Sequence, residues 1–115
     1  MATKAEIRNR AARKIGVLGI GQTLGAQYTG VVDEAYDNVF YQLRAKGFNT
    51  WAYAAEVPAQ VADYYSTLVA NKCAVELGAS SEKIATLAAQ EPQAMREIQL
   101  YLSPSYASGD DPEDF

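Results

Sequence analysis

The sequence contains no histidine and a single cysteine, Cys73, and these two shortages exclude much chemistry. Without histidine there is no Ser-His-Asp or Cys-His catalysis, no histidine metal ligand and no histidine pH switch. One cysteine cannot build a disulfide framework or a structural zinc site within one chain. Cys73 falls on the apolar side of a predicted helix. No histidine can activate its thiol and Lys72 is the only basic residue close in sequence, so we expect a buried, inert thiol.

Long apolar runs are also missing. The longest, residues 15–20, contains two glycines and is far too short to span a bilayer. The opening Met-Ala-Thr-Lys-Ala-Glu lacks the apolar stretch of a signal peptide. We therefore expect a soluble chain that is made in a cytoplasm and has no membrane partner.

The residues that are present have the composition of one globular domain. Of 115 residues, 49% are hydrophobic and 21% are charged. Residues 1–20 hold five basic side chains and one acidic, whereas residues 21–115 hold five basic and thirteen acidic. A basic start on an acidic body indicates different partners at the two ends, and the overall acidity argues against a free-standing DNA-binding domain.

Apolar spacing predicts an all-α fold, a small bundle of about four amphipathic helices with an extended acidic C-terminal tail. Thr3 and Glu6 have the form of a capping box, and Gly47 and Gly78 fit the left-handed ends of helices. The predicted helices cover about residues 4–16, 26–46, 58–77 and 81–102. Pro92 interrupts the last one, but its apolar stripe stays in phase, which favours a single kinked helix.

From Ser103 onward the helical pattern stops. Residues 103–109 have the composition of a linker, and a short acidic run ending in Phe115 follows. We therefore divide the chain into a helical domain, residues 1–102, and a tail, residues 103–115.

Candidates for enzymatic chemistry are weak. Residues 19–25 nearly match the dinucleotide-binding fingerprint, but the last glycine is one residue late and no strand precedes them. Asp33, Glu34 and Asp37 could serve as metal ligands, yet such a run of carboxylates is typical of the solvated face of a helix. We expect no enzyme, no catalytic residue, no cofactor and no metal.

Two segments carry candidate binding residues. The basic cluster of the first helix suits DNA phosphates or an acidic protein surface, the alternative being a solvated helix with a basic bias. Its members are Arg8, Arg10, Arg13 and Lys14. The tail is either a disordered solubilising end or a segment that orders along a partner's basic groove, which we favour. Its candidate contact residues are Tyr106, Asp110, Asp111 and Phe115.

Aromatic residues are numerous, with eight tyrosines, three phenylalanines and one tryptophan. Tyrosine is enriched at protein interfaces. Several tyrosines fall off or at the edge of the main apolar stripes, which favours burial by neighbouring subunits over a monomer with exposed rings. They are Tyr28, Tyr41, Tyr64, Tyr101 and Tyr106.

Five short stretches, taken in order, resemble a known viral family. They are residues 2–8 (Ala-Thr-Lys-Ala-Glu-Ile-Arg), residues 32–39 (Val-Asp-Glu-Ala-Tyr-Asp-Asn-Val), Trp51-Ala52, Val57-Pro58 and Ala94-Met95-Arg96. Over residues 2–102 this order resembles the head-to-tail adaptor proteins of tailed bacteriophages, also called tail accessory factors or packaged-DNA stabilisation proteins.

The resemblance implies a structural role in the virion neck, at the head-tail interface, after assembly in the bacterial host cytoplasm. Such adaptors form a ring, typically of twelve copies, beneath the portal protein. They extend the channel for double-stranded DNA, help retain the packaged genome and offer a platform to a tail or nozzle protein. Their C-terminal segments contact the portal or a neighbouring subunit, a role that would fall here to the tail residues named above.

Two points separate this chain from longer or enzymatic relatives. Its tail is short compared with longer members of the family. Some relatives have been credited with cell-wall hydrolysis, but no pair of carboxylates here supports that activity. The alternative function is a small DNA-binding regulator that uses the basic first helix, although the glycine loop after that helix is long for a helix-turn-helix.

Overall fold

The computed structural model describes residues 2–19, 22, 24–47, 51 and 56–102. They form four α-helices: α1 (Lys4–Ile15), α2 (Ala26–Ala45), α3 (Ala59–Cys73) and α4 (Ser81–Leu102). Within these ranges the only extended pairing is an isolated antiparallel bridge between Ala2 and Val57. The predicted all-α fold is confirmed, while the predicted tail, residues 103–115, lies outside the described residues.

The start of α1 is held by the predicted capping box. The Glu6 backbone N–H donates to the Thr3 hydroxyl at 3.2 Å, and the Thr3 N–H donates to the Glu6 carboxylate at 2.8 Å. These bonds satisfy donors that a helix start leaves unpaired. The helix ends at Gly16, whose φ of 95° few side-chain-bearing residues adopt.

The end of α3 differs from its predicted position at residue 77. Regular helix stops at Cys73, and turns continue to Gly78, where φ is 75°. The Gly78 N–H donates to the Val75 carbonyl and the Ala79 N–H to the Ala74 carbonyl. These are the two bonds of a Schellman motif. Gly78 therefore ends the segment in a left-handed conformation, as predicted, although residues 74–78 are turns and not regular helix.

α4 passes through Pro92 as one helix, as its apolar stripe predicts. The Ser80 hydroxyl accepts the Lys83 N–H at 3.2 Å and caps its start. Proline has no N–H, so the carbonyl of Ala88 lacks its usual helical donor. Ala88 itself is exposed, because α4 buries only a narrow face, chiefly against α3.

α3 is the centre of the bundle and packs against α1, α2 and α4. The rings of Tyr36 and Tyr65 lie 5.0 Å apart, and the Tyr65 hydroxyl donates to the Tyr36 carbonyl at 3.1 Å. The predicted stripes of the first two helices are buried, namely Ile7, Ala11, Ile15 and Leu18, then Val32, Tyr36, Val39, Phe40 and Leu43. This core leaves the outer face of α1 available for other contacts.

Candidate interaction surface

The basic residues of α1 divide into two groups once the helices are packed. Arg8 holds Asp33 of α2 through two bonds, at 2.7 and 3.1 Å. Lys14 meets Asp63 of α3 at 3.0 Å. Of the four basic residues predicted to contact a partner, these two are therefore engaged within the chain.

Arg10 and Arg13 make the second group. Both are exposed, on the side of α1 away from the core, and neither forms an ion pair within the described ranges. With Glu6 and Asn9 they line an open depression of about 270 Å³. Residues three apart on a helix are neighbours, so the two guanidinium groups act on the same surface. We call this surface the arginine surface.

Glu6 sits beside the arginine surface as a carboxylate. The N–H of Thr3, through its bond to this carboxylate, lowers the pKa of Glu6, and the charge of Arg10 one turn away also lowers it. Glu6 is therefore ionised at neutral pH. The arginine surface therefore carries two positive charges, from Arg10 and Arg13, and one negative charge, from Glu6, whose carboxylate accepts the Thr3 N–H.

The acidic residues of α2 correct one prediction. Asp33 and Asp37 do not form a merely solvated face: Asp33 pairs with Arg8, and Asp37 meets Lys4 at 3.2 Å. Lys4 also lies over the ring of Tyr36, 5.2 Å from its centroid. Glu34 is exposed, as predicted. No group of three or more histidine, cysteine or acidic residues suited to a metal occurs among the described residues.

A second, smaller cleft of about 160 Å³ opens where α1, α3 and α4 meet. The Lys14–Asp63 ion pair stands at this cleft, and the rest of its lining is uncharged. The Thr67 hydroxyl donates to the Asp63 carbonyl at 3.2 Å. The lining contains no group of residues arranged for proton transfer or nucleophilic attack; besides the ion pair it comprises Tyr64, Thr67, Gln90, Gln93 and Ala94.

Two further sequence features lack a functional arrangement. Cys73 is buried as predicted, and its burial raises the pKa of the thiol to about 11. In the glycine-rich segment, residues 20, 21 and 23 lie outside the described residues. The Gln22 side chain accepts the Gly19 N–H at 2.8 Å, so this amide is already bonded within the loop.

The off-stripe tyrosines prove to have different surroundings. Tyr28, Tyr64 and Tyr101 are half-buried and pack against the chain's own core, and their burial by a neighbouring subunit stays a prediction. Tyr41 is 56% exposed. Val75 and Leu100 are also exposed, and the apolar spacing of the sequence does not distinguish them from buried residues of the same type.

The candidate contact residues of the tail lie outside the described residues, namely Tyr106, Asp110, Asp111 and Phe115. The prediction that Tyr106 is an interface aromatic is therefore not tested either. Within the described ranges, no helix combines the length and the apolar character needed to cross a bilayer. Comparisons with protein-family models, with curated proteins and with solved structures find no match to this chain.

Proposed function

We propose that this chain is a structural adaptor of a bacteriophage neck, without enzymatic activity. Copies of it, typically twelve, would form a ring beneath the portal protein, extend the channel for double-stranded DNA, help retain the packaged genome and receive a tail or nozzle protein. The observation that carries the proposal is the arginine surface, two neighbouring outward-facing cations on α1 that form no ion pair among the described residues. The order of sequence stretches that resembles the adaptor family supports the same role.

Exposed carboxylates and exposed arginines suit different partners in the proposed ring. Exposed carboxylates occur on α2, on the turn after α3 and at the start of α4, namely Glu34, Glu76 and Glu82. Carboxylates that line the channel of a ring would repel the DNA backbone and so let DNA slide without sticking. Arg10 and Arg13 instead suit a negatively charged protein surface, where planar guanidinium groups bind carboxylates in two-pronged fashion.

The mass of the assembly in solution tests this proposal. Native mass spectrometry of the chain, alone and mixed with a candidate portal ring, should show many copies on the ring. Arg10→Glu with Arg13→Glu should reduce the number bound, because both charges of the arginine surface are reversed. Circular dichroism should show that the fold is retained, since both side chains are exposed.

A matched control changes the same amount of charge elsewhere. Arg44→Glu with Lys46→Glu alters two exposed cations at the end of α2 and should leave ring binding unchanged if α1 provides the contact. Normal assembly of the α1 double variant would remove this role for α1. A strict monomer in both the free and the mixed sample would contradict the adaptor proposal itself.

The alternative, a small DNA-binding regulator, is favoured by the same observation, because Arg10 and Arg13 face one side of a helix. Two arginines beside one carboxylate are few, however, against the six to ten phosphate contacts of a typical strong DNA binder. A salt-dependent electrophoretic shift of duplex DNA at physiological salt would support the regulator. Its absence would leave the adaptor as the better proposal.

A further inference from the structure

We propose that the acidic segment 110–114 of the tail binds the arginine surface of its own chain. This contact goes beyond the adaptor role and does not depend on it. The partner of the exposed face of α1 is then a carboxylate-rich peptide, and every chain carries one copy of this peptide and one copy of the surface.

The charges of the two segments are complementary. The tail contains Asp110, Asp111, Glu113 and Asp114 and no basic residue. Arg10 and Arg13 offer two guanidinium forks one turn apart, and each fork binds a carboxylate through two parallel hydrogen bonds. Glu6 offsets part of this attraction, and the arginine surface keeps a net charge of one positive unit.

The topology brings the start of the tail to the end of the bundle at which α1 begins. Ala2, directly before α1, pairs with Val57, directly before α3. α4 follows α3 after a short turn and packs along it, with Asn71 of α3 bonded to Glu91 of α4. The helices α3 and α4 are therefore antiparallel, so α4 ends where α1 begins.

The length of chain after α4 is sufficient for the contact. Seven residues lie between Leu102 and Asp110, and the eight residue-to-residue steps of an extended chain span up to about 28 Å. Arg10 lies six residues into α1, which is about 9 Å along the helix axis from Lys4. Because the tail is tethered, its effective concentration at this surface is on the order of millimolar, so a contact with a dissociation constant of about 1 mM is already half occupied.

Other cations suit the tail less well. Lys4, Arg8 and Lys14 already pair with carboxylates of α2 and α3. Arg44 and Lys46 are two residues apart, a spacing at which helical side chains do not face each other. Among the described residues the remaining exposed cations are isolated in sequence, namely Lys72, Lys83 and Arg96.

The contact couples two events that would otherwise be independent. While the tail occupies the arginine surface, neither Arg10 nor Arg13 is available to a partner. A partner that captures the tail therefore also exposes the arginine surface. Within the adaptor proposal, this would restrict assembly to chains that have met a surface able to take the tail.

A spin label on the full-length chain tests the contact. Ser108→Cys places one reactive thiol beside the acidic segment, and Cys73 stays unlabelled at neutral pH because it is buried and its thiol pKa is about 11. The label should broaden the amide resonances of residues 6–13 several-fold more than those of residues 28–31 on α2. The effect should disappear in about 0.5 M salt, where ion pairs at an exposed surface are screened.

Two double variants identify the surface. Arg10→Gln with Arg13→Gln should abolish the broadening on α1, whereas the matched control, Arg44→Gln with Lys46→Gln, should leave it intact. A second sample mixes spin-labelled chains with isotope-labelled chains that carry no spin label. The resonances of the isotope-labelled chains should not broaden, since the contact is within one chain.

Three results would overturn the proposal: no broadening on α1, broadening that both double variants leave unchanged, or broadening that passes between chains. An unchanged amide spectrum outside α1 would confirm that the variants stay folded. Portal binding is read by mass in a separate experiment, so failure of the tail contact and failure of the adaptor proposal can be told apart.

Discussion

Arg8 and Asp33 show how a single pair of side chains ties two helices together. Their side chains are 25% and 28% exposed, and two bonds join them in the fork geometry that guanidinium and carboxylate groups prefer. A half-buried, two-pronged pair is screened less by water than an ion pair on an open surface. We therefore expect it to contribute to stability, whereas Arg10 and Arg13 should contribute little.

Asp33→Asn should lower the free energy of unfolding by about 1 kcal/mol, because it removes the charge that holds Arg8. Glu34→Gln is the matched control: it is one residue away, exposed, and should change stability by less than about 0.5 kcal/mol. Urea unfolding followed by circular dichroism measures both. Equal effects of the two substitutions would show that the Arg8 pair contributes nothing specific.

The sequence shows the basic cluster on α1 but not its division into engaged and exposed residues. Arg8 and Asp33 lie 25 positions apart, and their contact arises only because α2 packs beside α1. Local spacing predicts the face of a helix on which a residue lies. It does not predict which acidic residue of another helix will lie opposite.

At the scale of the helices, the capping box of α1 gives a prediction about pH. Thr3→Ala should destabilise the protein by about 1 kcal/mol, the usual cost of losing an N-cap hydroxyl. Glu6→Gln should also destabilise it at pH 7. A carboxyl whose pKa is lowered on folding adds stability above its ordinary value of 4.5 and loses this contribution as the pH falls through the folded value.

The difference in unfolding free energy between wild type and Glu6→Gln should therefore be largest near neutral pH and vanish at strongly acid pH. Urea unfolding at a series of pH values measures this. A substitution at the exposed Glu82, in the first turn of α4, provides a comparison in a helix start that Ser80 caps instead. A difference between wild type and Glu6→Gln that stays constant with pH would exclude the capping carboxylate as its source.

Helix positions were predictable because their signals are local. Apolar spacing predicted α1 and α2, and the capping box predicted the start of α1. The end of α3 was less predictable: Gly78 marks the close of the segment, but regular helix stops at Cys73 and the chain reaches the glycine through turns. Sequence pattern does not distinguish a helical last turn from a looser one.

At the scale of the whole molecule, the burial of tyrosines depends on neighbours that no single stripe reveals. Tyr28, Tyr64 and Tyr101 lie off the main stripes, yet each packs on the core, because the bundle covers more than one side of its helices. Tyr41 differs, since most of its ring faces outward from α2 beside the buried Phe40. Tyr41 is therefore the most exposed aromatic among the described residues and the ring that we expect a second copy or a partner to bury.

Tyr41→Ser should reduce the number of copies that native mass spectrometry detects on the portal ring, because an exposed aromatic side chain at an interface contributes a large contact area. Val75→Ser is the control, since Val75 is even more exposed, at 73%, but lies on the turn after α3. Both variants should unfold within about 0.5 kcal/mol of the wild type. Unchanged copy number for Tyr41→Ser would remove this ring from the proposed contact.

The bridge between Ala2 and Val57 has a consequence for how the chain folds during synthesis. Its two hydrogen bonds, at 2.9 and 2.8 Å, join the first described residue to a position that the ribosome adds more than fifty residues later. α1 also needs Asp63 for the Lys14 ion pair and α3 for most of its packing. On the ribosome, α1 and α2 therefore emerge before the helix that covers most of their apolar faces. These faces stay exposed to aggregation until α3 has been synthesised.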